Sequence, residues 1–293
     1  MPTEGGSSVP RRQLGRLLRQ MREEAGVKLK DAALHLEISL ARMSRIEGGE
    51  APVKLLEVRA ASDLYGAPDD MREVMLGLAA ASKEHGWWQA YGKAVPKWFE
   101  LYVGMEEAAS RLRHYEPTLI PGLLQLEAYA TTVLGTFPAI SEPELAQHLR
   151  VRMQRQRLLT RRTPRPPQLD VLLDESVLHR PIGDTDAWLR QLAHLVNIST
   201  RPNIGVRIVP SSAGPHWAMG AGAFVLLDFP QVGIRKVEPT TVYMENVTGA
   251  LYLDLPEEVS SFETVWNMLD RRALDRDASD DLIGKVIKEY TGA

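Results

Sequence analysis

Apolar residues recur along this chain at two spacings, and the change from one to the other divides it. From Arg11 onward, Leu14, Leu17, Leu18 and Met21 fall on one face of a helix, which Ala25-Gly26 ends with a glycine tolerant of left-handed backbone. That pattern predicts a first helix over 10–25. Residues 28–36 turn Leu29, Ala32, Ala33 and Leu36 to one side as a second helix, Glu37-Ile38-Ser39 breaks it, and Ser39 is placed to cap a third over 40–47. Gly48-Gly49 stops the third, Pro52 opens a fourth ending near Tyr65, and Pro68-Asp69-Asp70 caps a fifth from Met71 to near Lys83. Five short helices thus fill 10–84, behind a small, polar arm over 1–8 that is expected to be disordered.

After Gly86-Trp87-Trp88 the texture changes. Aromatic residues become frequent (Tyr91, Trp98, Phe99, Tyr102), and helical patterns cover 96–114, 123–134 and 143–160. Thr163-Pro-Arg-Pro-Pro167 makes a stiff connection. Beyond it, β-rich runs at 169–173, 204–209, 223–227, 241–244 and 251–253 are candidate strands of one mixed sheet, with helices at 188–198, 256–274 and 279–290 beside it. The expected organisation is multidomain: an all-α domain over 9–84, then a larger α+β domain over 85–293, helical to 162 and carrying the sheet over 168–293.

The 293 residues are 44% hydrophobic and 25% charged, enough for about two globular domains. There is no cysteine, which excludes disulfides, thiolate metal sites and cysteine nucleophiles. No signal peptide or membrane-spanning run is evident, so the cytoplasm is the expected location. The net charge of −3 hides an asymmetry: residues 9–59 hold eleven basic and seven acidic side chains, a surplus of +4 that leaves −7 for the rest. A basic head on an acidic body suits a nucleic-acid-reading module attached to a second domain.

Two short helices joined by a three-residue turn, the second starting at a capping serine, are the parts of a helix-turn-helix. Ala33 allows a close helix crossing and Ile38 plugs the turn. Met43 and Ile46 point inward, while Leu40, Ala41, Arg42, Ser44 and Arg45 are left on an outer face. The stretch from Lys28 to Gly49, including the closing Ser-Arg-Ile-Glu-Gly-Gly, resembles the Xre/Cro-type regulators. That resemblance implies base-edge contacts from Leu40, Ala41, Ser44 and Arg45, and phosphate contacts near Leu29 and Lys30. Ser39, besides capping the helix, and Arg42, as a backbone or flanking contact, complete the expected DNA-binding set. Leu40 and Ala41 can touch thymine methyls but cannot read a base by paired hydrogen bonds, so most polar readout would fall to Arg45. Arg45 could equally be a solvated arginine or pair with Glu47 or Glu50. The turn carries Glu37 where the family often has glycine.

Further on, Pro121-Gly-Leu-Leu-Gln125, Glu127 with Tyr129-Ala130, Arg155-Gln-Arg-Leu-Leu159, Leu173-Asp-Glu-Ser-Val-Leu178, Arg180-Pro-Ile-Gly183 and Tyr243-Met-Glu245 resemble a known C-terminal domain. It is the domain of uncharacterised function in the WhiJ-like, antitoxin-like regulators of actinobacteria, which accompany small acidic partner proteins. The resemblance implies transcriptional control, with the C-terminal domain taking the signal.

Residues 150–165 hold seven arginines and no acid. Arg150, Arg155 and Arg157 could receive an acidic partner or a phosphate-bearing effector, or pair with the domain's own carboxylates. Trp88 could line an apolar pocket or pack a seam, and the glycine-bearing loop with His216 and Trp217 could close over a ligand or merely connect strands. Glu175 and His179 stand one helical turn apart without a second pair to complete a metal site, and no cofactor motif or catalytic elbow is present. These features predict a homodimeric, sequence-specific regulator of double-stranded DNA controlled by a small ligand or small acidic protein, not an enzyme. The alternative is an antitoxin-like protein that sequesters a partner and represses its own operon.

Overall fold

The computed structural model describes residues 8–82, 97–137, 140–230, 238–247 and 249–292. These form two compact units. The first holds residues 8–82 together with 100–108, 229–230 and 238–239; the second holds the remaining described residues. The expected N-terminal arm lies outside the described residues except for Ser8, which opens the first helix.

The first unit is built on α1 (Ser8–Glu24), α2 (Leu29–His35), α3 (Leu40–Glu47), α4 (Leu55–Tyr65) and α5 (Asp69–Ala81). All five expected helices are present, and their inward positions make one core: Leu14, Leu17, Leu18, Met21, Ala32, Ala33, Met43, Ile46, Val58 and Met75 are buried. Gly15 explains how α1 reaches α3, because a Cβ there would stand 2.4 Å from the Ile46 carbonyl oxygen. On another side of α1, the fully buried Glu238 carboxylate lies 3.2 Å from Arg12 and 3.4 Å from Arg16.

Helix α6 (Lys97–Ala108) precedes strand β1 (Arg111–Glu116). A single helix over 96–114 was the expectation, and the structure corrects it. The run from Tyr102 to Tyr115 carries apolar residues at helical spacing, but pairing of Arg111 to Glu116 on both sides makes it a strand. Its one awkward residue, Arg113, is buried against Asp228 at 3.1 Å and Glu263 at 3.3 Å.

Strands β1, β2 (Gln168–Asp174), β3 (Ile204–Val209), β4 (Phe224–Asp228), β5 (Thr241–Asn246) and β6 (Gly249–Leu253) form a six-stranded mixed sheet in the order β3-β2-β1-β4-β5-β6. The first three are parallel, with Tyr115 beside Leu172 and Leu172 beside Arg207. β4, β5 and β6 are antiparallel to their neighbours, with Tyr115 opposite Phe224. The crossover from β1 to β2 runs through α7 (Glu127–Gly135) and α8 (Glu142–Arg155), and that from β2 to β3 through α9 (Thr185–Ile198). After β3 come a short α10 (Ala218–Ala221) and, behind the sheet's end, α11 (Pro256–Arg272) and α12 (Arg276–Thr291).

Caps set these boundaries. Ser141 and Glu144 form a capping box for α8, Asp184 accepts from the Ala187 N–H at 2.7 Å for α9, and Asp275 accepts from the Ala278 N–H at 2.9 Å for α12. The helix expected over 123–134 is split, because the Leu126 N–H donates to Gln191 Oε1 at 2.6 Å and α7 starts afresh after it. The helix expected over 143–160 ends at Arg155 and continues as one tighter turn. On one sheet face Tyr115, Leu172, Phe224, Leu226 and Val242 pack on Val259, Val265, Trp266 and Leu269, all from α11. Among the described residues no helix is long and apolar enough to cross a membrane.

Candidate nucleic-acid interface

The turn between α2 and α3 is fixed from its own residues. Ala33 O accepts from the Ile38 N–H at 3.0 Å, Leu34 O accepts from Glu37, and Ile38 packs half-buried on the core. Glu37 takes φ +53°, a left-handed backbone that favours glycine. Ser39 Oγ then accepts from the Arg42 N–H at 3.2 Å, so the cap expected for α3 is made, and α3 spans the expected residues.

Capping at Ser39 fixes which face of α3 looks outward. Met43 and Ile46 are buried, while Leu40, at 52% exposure, stands outside with Ala41, Ser44 and Arg45. The charged residues around this face divide sharply. Glu47 is buried and takes Arg22 of α1 twice, at 2.7 and 2.9 Å, while Arg22 also donates to Val27 O at 3.0 Å. The hydrogen bond to Glu47 leads in raising the Arg22 guanidinium above its ordinary range, so this arginine is a structural cation. Arg42 gives both guanidinium nitrogens to Glu57, at 2.7 and 3.1 Å, and Glu57 also accepts from the Lys54 N–H at 2.8 Å to cap α4. Burial pushes the Glu57 carboxyl up, but Arg42 and the Lys54 N–H outweigh it and hold the carboxyl below its ordinary range. Arg45, by contrast, has no side-chain partner among the described residues, and neither Glu47 nor Glu50 reaches it.

A methyl-bearing and aliphatic pair (Ala41, Leu40), a hydroxyl (Ser44) and an uncommitted guanidinium (Arg45) therefore share one exposed face. Those are the groups that touch thymine methyls and donate to guanine N7 and O6. Leu29 is half-buried and Lys30 exposed at the start of α2, beside the N–H groups that a helix start leaves unpaired. Lys28 and Lys54 are also exposed, each at the residue just before its helix, and neither was among the expected contacts.

The residues expected to serve an effector or partner differ in their surroundings. Trp88 lies outside the described residues. Arg155 is only 8% exposed, with its guanidinium 5.0 Å over the Phe99 ring, whereas Arg150 and Arg157 are exposed and without carboxylate partners among the described residues. His216 is buried beneath its loop and Trp217 is exposed. Glu175 and His179 are 3.9 Å apart, and among the described residues no group of three or more histidines and carboxylates converges as a metal site would require.

Residues 99–285, more than half of the chain, match the family model described as a domain of unknown function, DUF5753. The chain belongs to that family. Residues 13–75 match a second model, described as a helix-turn-helix domain, and cover most of α1, all of α2 to α4 and the first half of α5. This DUF5753 protein thus carries, ahead of its family domain, the kind of domain found in DNA-binding transcriptional regulators. No curated protein and no solved structure matches the chain.

Proposed function

We propose that this DUF5753 protein is a sequence-specific transcriptional regulator of the Xre type, with α3 lying in the major groove of double-stranded DNA. The observation that carries the reading is Arg45: an exposed, unpaired guanidinium beside Leu40, Ala41 and Ser44, on a helix whose other arginine is already spent on Glu57. Arg45 then reads guanine, Leu40 and Ala41 touch thymine methyls, and Leu29 with Lys30 meets phosphate. Arg42 serves as a flanking contact only when released from Glu57. One head offers few base contacts, so a homodimer reading two half-sites about one helical turn apart completes the proposal.

In this reading residues 9–84 bind DNA in the cytoplasm and 85–293 receive a small ligand or a small acidic protein, as in the WhiJ-like regulators; the protein uses no cofactor and catalyses no reaction. A second reading, an antitoxin-like protein that sequesters its partner and represses its own operon, is favoured by the exposed, unpaired Arg150 and Arg157.

Selection of bound fragments from a genomic library at about 150 mM salt tests the proposal. A palindromic site whose affinity exceeds that of random duplex supports it. Fragments bound without preference, with and without a co-purified acidic protein, would remove it.

A further inference from the structure

The sheet of the second unit changes its direction of growth between β1 and β4. Strands β1, β2 and β3 are laid down side by side and parallel, and β4 is then placed on the other flank of β1. In open α/β sheets ligands are received at the edge formed by the carboxyl ends of the parallel strands, here β1, β2 and β3. The loops after Glu116, Asp174 and Val209 all leave from that edge.

Two buried polar groups stand there without partners. The Tyr115 phenol is fully buried and its Oη has no hydrogen bond; His216 is 9% exposed and its Nδ1 has none. They are neighbours, their rings edge to face with centroids 6.2 Å apart. Phe224 stands 5.7 Å from Tyr115, and Phe262 of α11 stands 5.2 Å from Phe224, so the two polar atoms open into an aromatic setting. A buried donor or acceptor without a partner destabilises a fold and calls for an explanation. Elsewhere in the same unit Tyr129 Oη accepts from the Ile120 N–H at 3.1 Å and Gln191 bonds through both amide atoms, while Trp188 Nε1 is likewise buried without a partner.

The covering segment, 210–222, is bounded by two glycine turns. It turns at Gly214 (φ 69°, ψ −170°) and Gly222 (φ 72°, ψ −161°), both in a region of backbone space open essentially to glycine alone. Between them His216 and Ala218 point in, while Trp217 and Met219 stand 80% and 66% exposed. The segment is tied to α11 by Arg272, an exposed side chain that donates to Pro215 O at 2.8 Å.

The edge carries carboxylates, but each is engaged: Asp174 accepts from the Ser176 N–H at 2.9 Å, Glu116 lies 3.2 Å from His114 Nε2, and Glu175 accepts from the Ser211 N–H at 2.5 Å. They repel an anion and leave no carboxylate free for a cation. We infer that segment 210–222 is a hinged roof over a ligand site at the β1/β4 reversal. The ligand class is a small, flat, uncharged aromatic molecule. Its carbonyl or hydroxyl oxygen takes the Tyr115 hydrogen bond and meets His216 Nδ1 between the flanking phenylalanines. This deepens the proposed function, on which only the consequence for DNA rests.

The test uses full-length protein labelled with fluorotryptophan, the Trp217 resonance being assigned by Trp217→Phe. Para-hydroxyacetophenone is the neutral probe and benzoate the anionic contrast. The expected result is a saturable shift at Trp217 with the neutral probe and binding of benzoate about tenfold weaker. Tyr115→Phe should weaken the neutral probe about tenfold without lowering the thermal midpoint, because it removes an unpaired hydroxyl. Arg272→Ala, which unties the roof, should tighten binding. Absence of a saturable shift up to about 5 mM in both the unaltered chain and Arg272→Ala would overturn the site, as would equal binding by Tyr115→Phe or by benzoate. A shift that leaves DNA affinity unchanged keeps the site and removes ligand control of the head.

Discussion

Arg22 and Glu47 meet through two parallel hydrogen bonds, 2.7 and 2.9 Å long, that join the end of α1 to the end of α3. Both side chains are largely withdrawn from water, and the pair sits directly behind the face that carries Arg45. Orientation of the outward face of α3 therefore depends on an ion pair in the core of the head, where neither partner can be removed without burying the other alone.

Glu47→Gln is expected to destabilise the head by about 3 kcal/mol, because it leaves the Arg22 guanidinium buried without its counter-charge. Urea unfolding followed by circular dichroism measures this. A loss of under about 0.5 kcal/mol would show that water reaches Arg22 and that the pair is a surface interaction.

Arg45→Ala is expected to cost about 1 to 3 kcal/mol on the selected operator and to relax preference at one base pair. Lys30→Ala should instead weaken all duplexes alike and reduce the salt slope by about one unit. Titrations of each variant on operator and random duplex separate the two. Equal losses on both duplexes for Arg45→Ala would reassign that side chain to the phosphates.

Much of the head can be read from its sequence, because local chemistry punctuates it. Ser39 and Gly48-Gly49 bracket α3, and Met43 with Ile46 leaves only one orientation for the exposed face. The C-terminal strands stand out for the same reason, 204–209 as a β-branched run and 169–173 as a short apolar run behind Pro166-Pro167. Strand β1 does not stand out. Its apolar residues fit a helix as well as a strand, and only the ladders to β2 and β4, made by residues distant in sequence, choose between them. The Tyr115–His216 contact is hidden likewise: His216 is visible in its loop, but its buried neighbour emerges only once the sheet has formed.

Glu37 is expected to be a stability cost retained in the turn. Its φ of +53° is strained for a side chain with a Cβ, and its side chain is exposed. Glu37→Gly relieves that strain while loosening the unfolded chain, so a net gain of about 0.5 to 1 kcal/mol is expected. The thermal midpoint of the head measures it. A fall in the midpoint would mean that the Glu37 side chain contributes more than the strain removes.

Glu57 links the pH dependence of the head to its DNA affinity. Its carboxyl is held below the ordinary value of 4.5, against the upward push of burial, by Arg42 and the Lys54 N–H. A folded-state value below the unfolded one means that the ionised form stabilises the fold. That contribution is complete above the unfolded value and is lost as pH falls through the lower, folded one. With Arg42 partly exposed, the amount is about 1 kcal/mol after screening by solvent. Glu57→Gln should therefore lie below the unaltered protein in stability at neutral pH, and the two should converge as pH falls through the lowered, folded-state value. The same substitution frees the Arg42 guanidinium on the flank of α3. Affinity for random duplex should rise, and the salt slope should steepen by about one unit, as one more cation becomes available to phosphate. Urea titrations from neutral to acid pH, paired with binding across a salt series, check both halves. A stability gap that persists unchanged into acid would show that Glu57 acts through its shape rather than its charge.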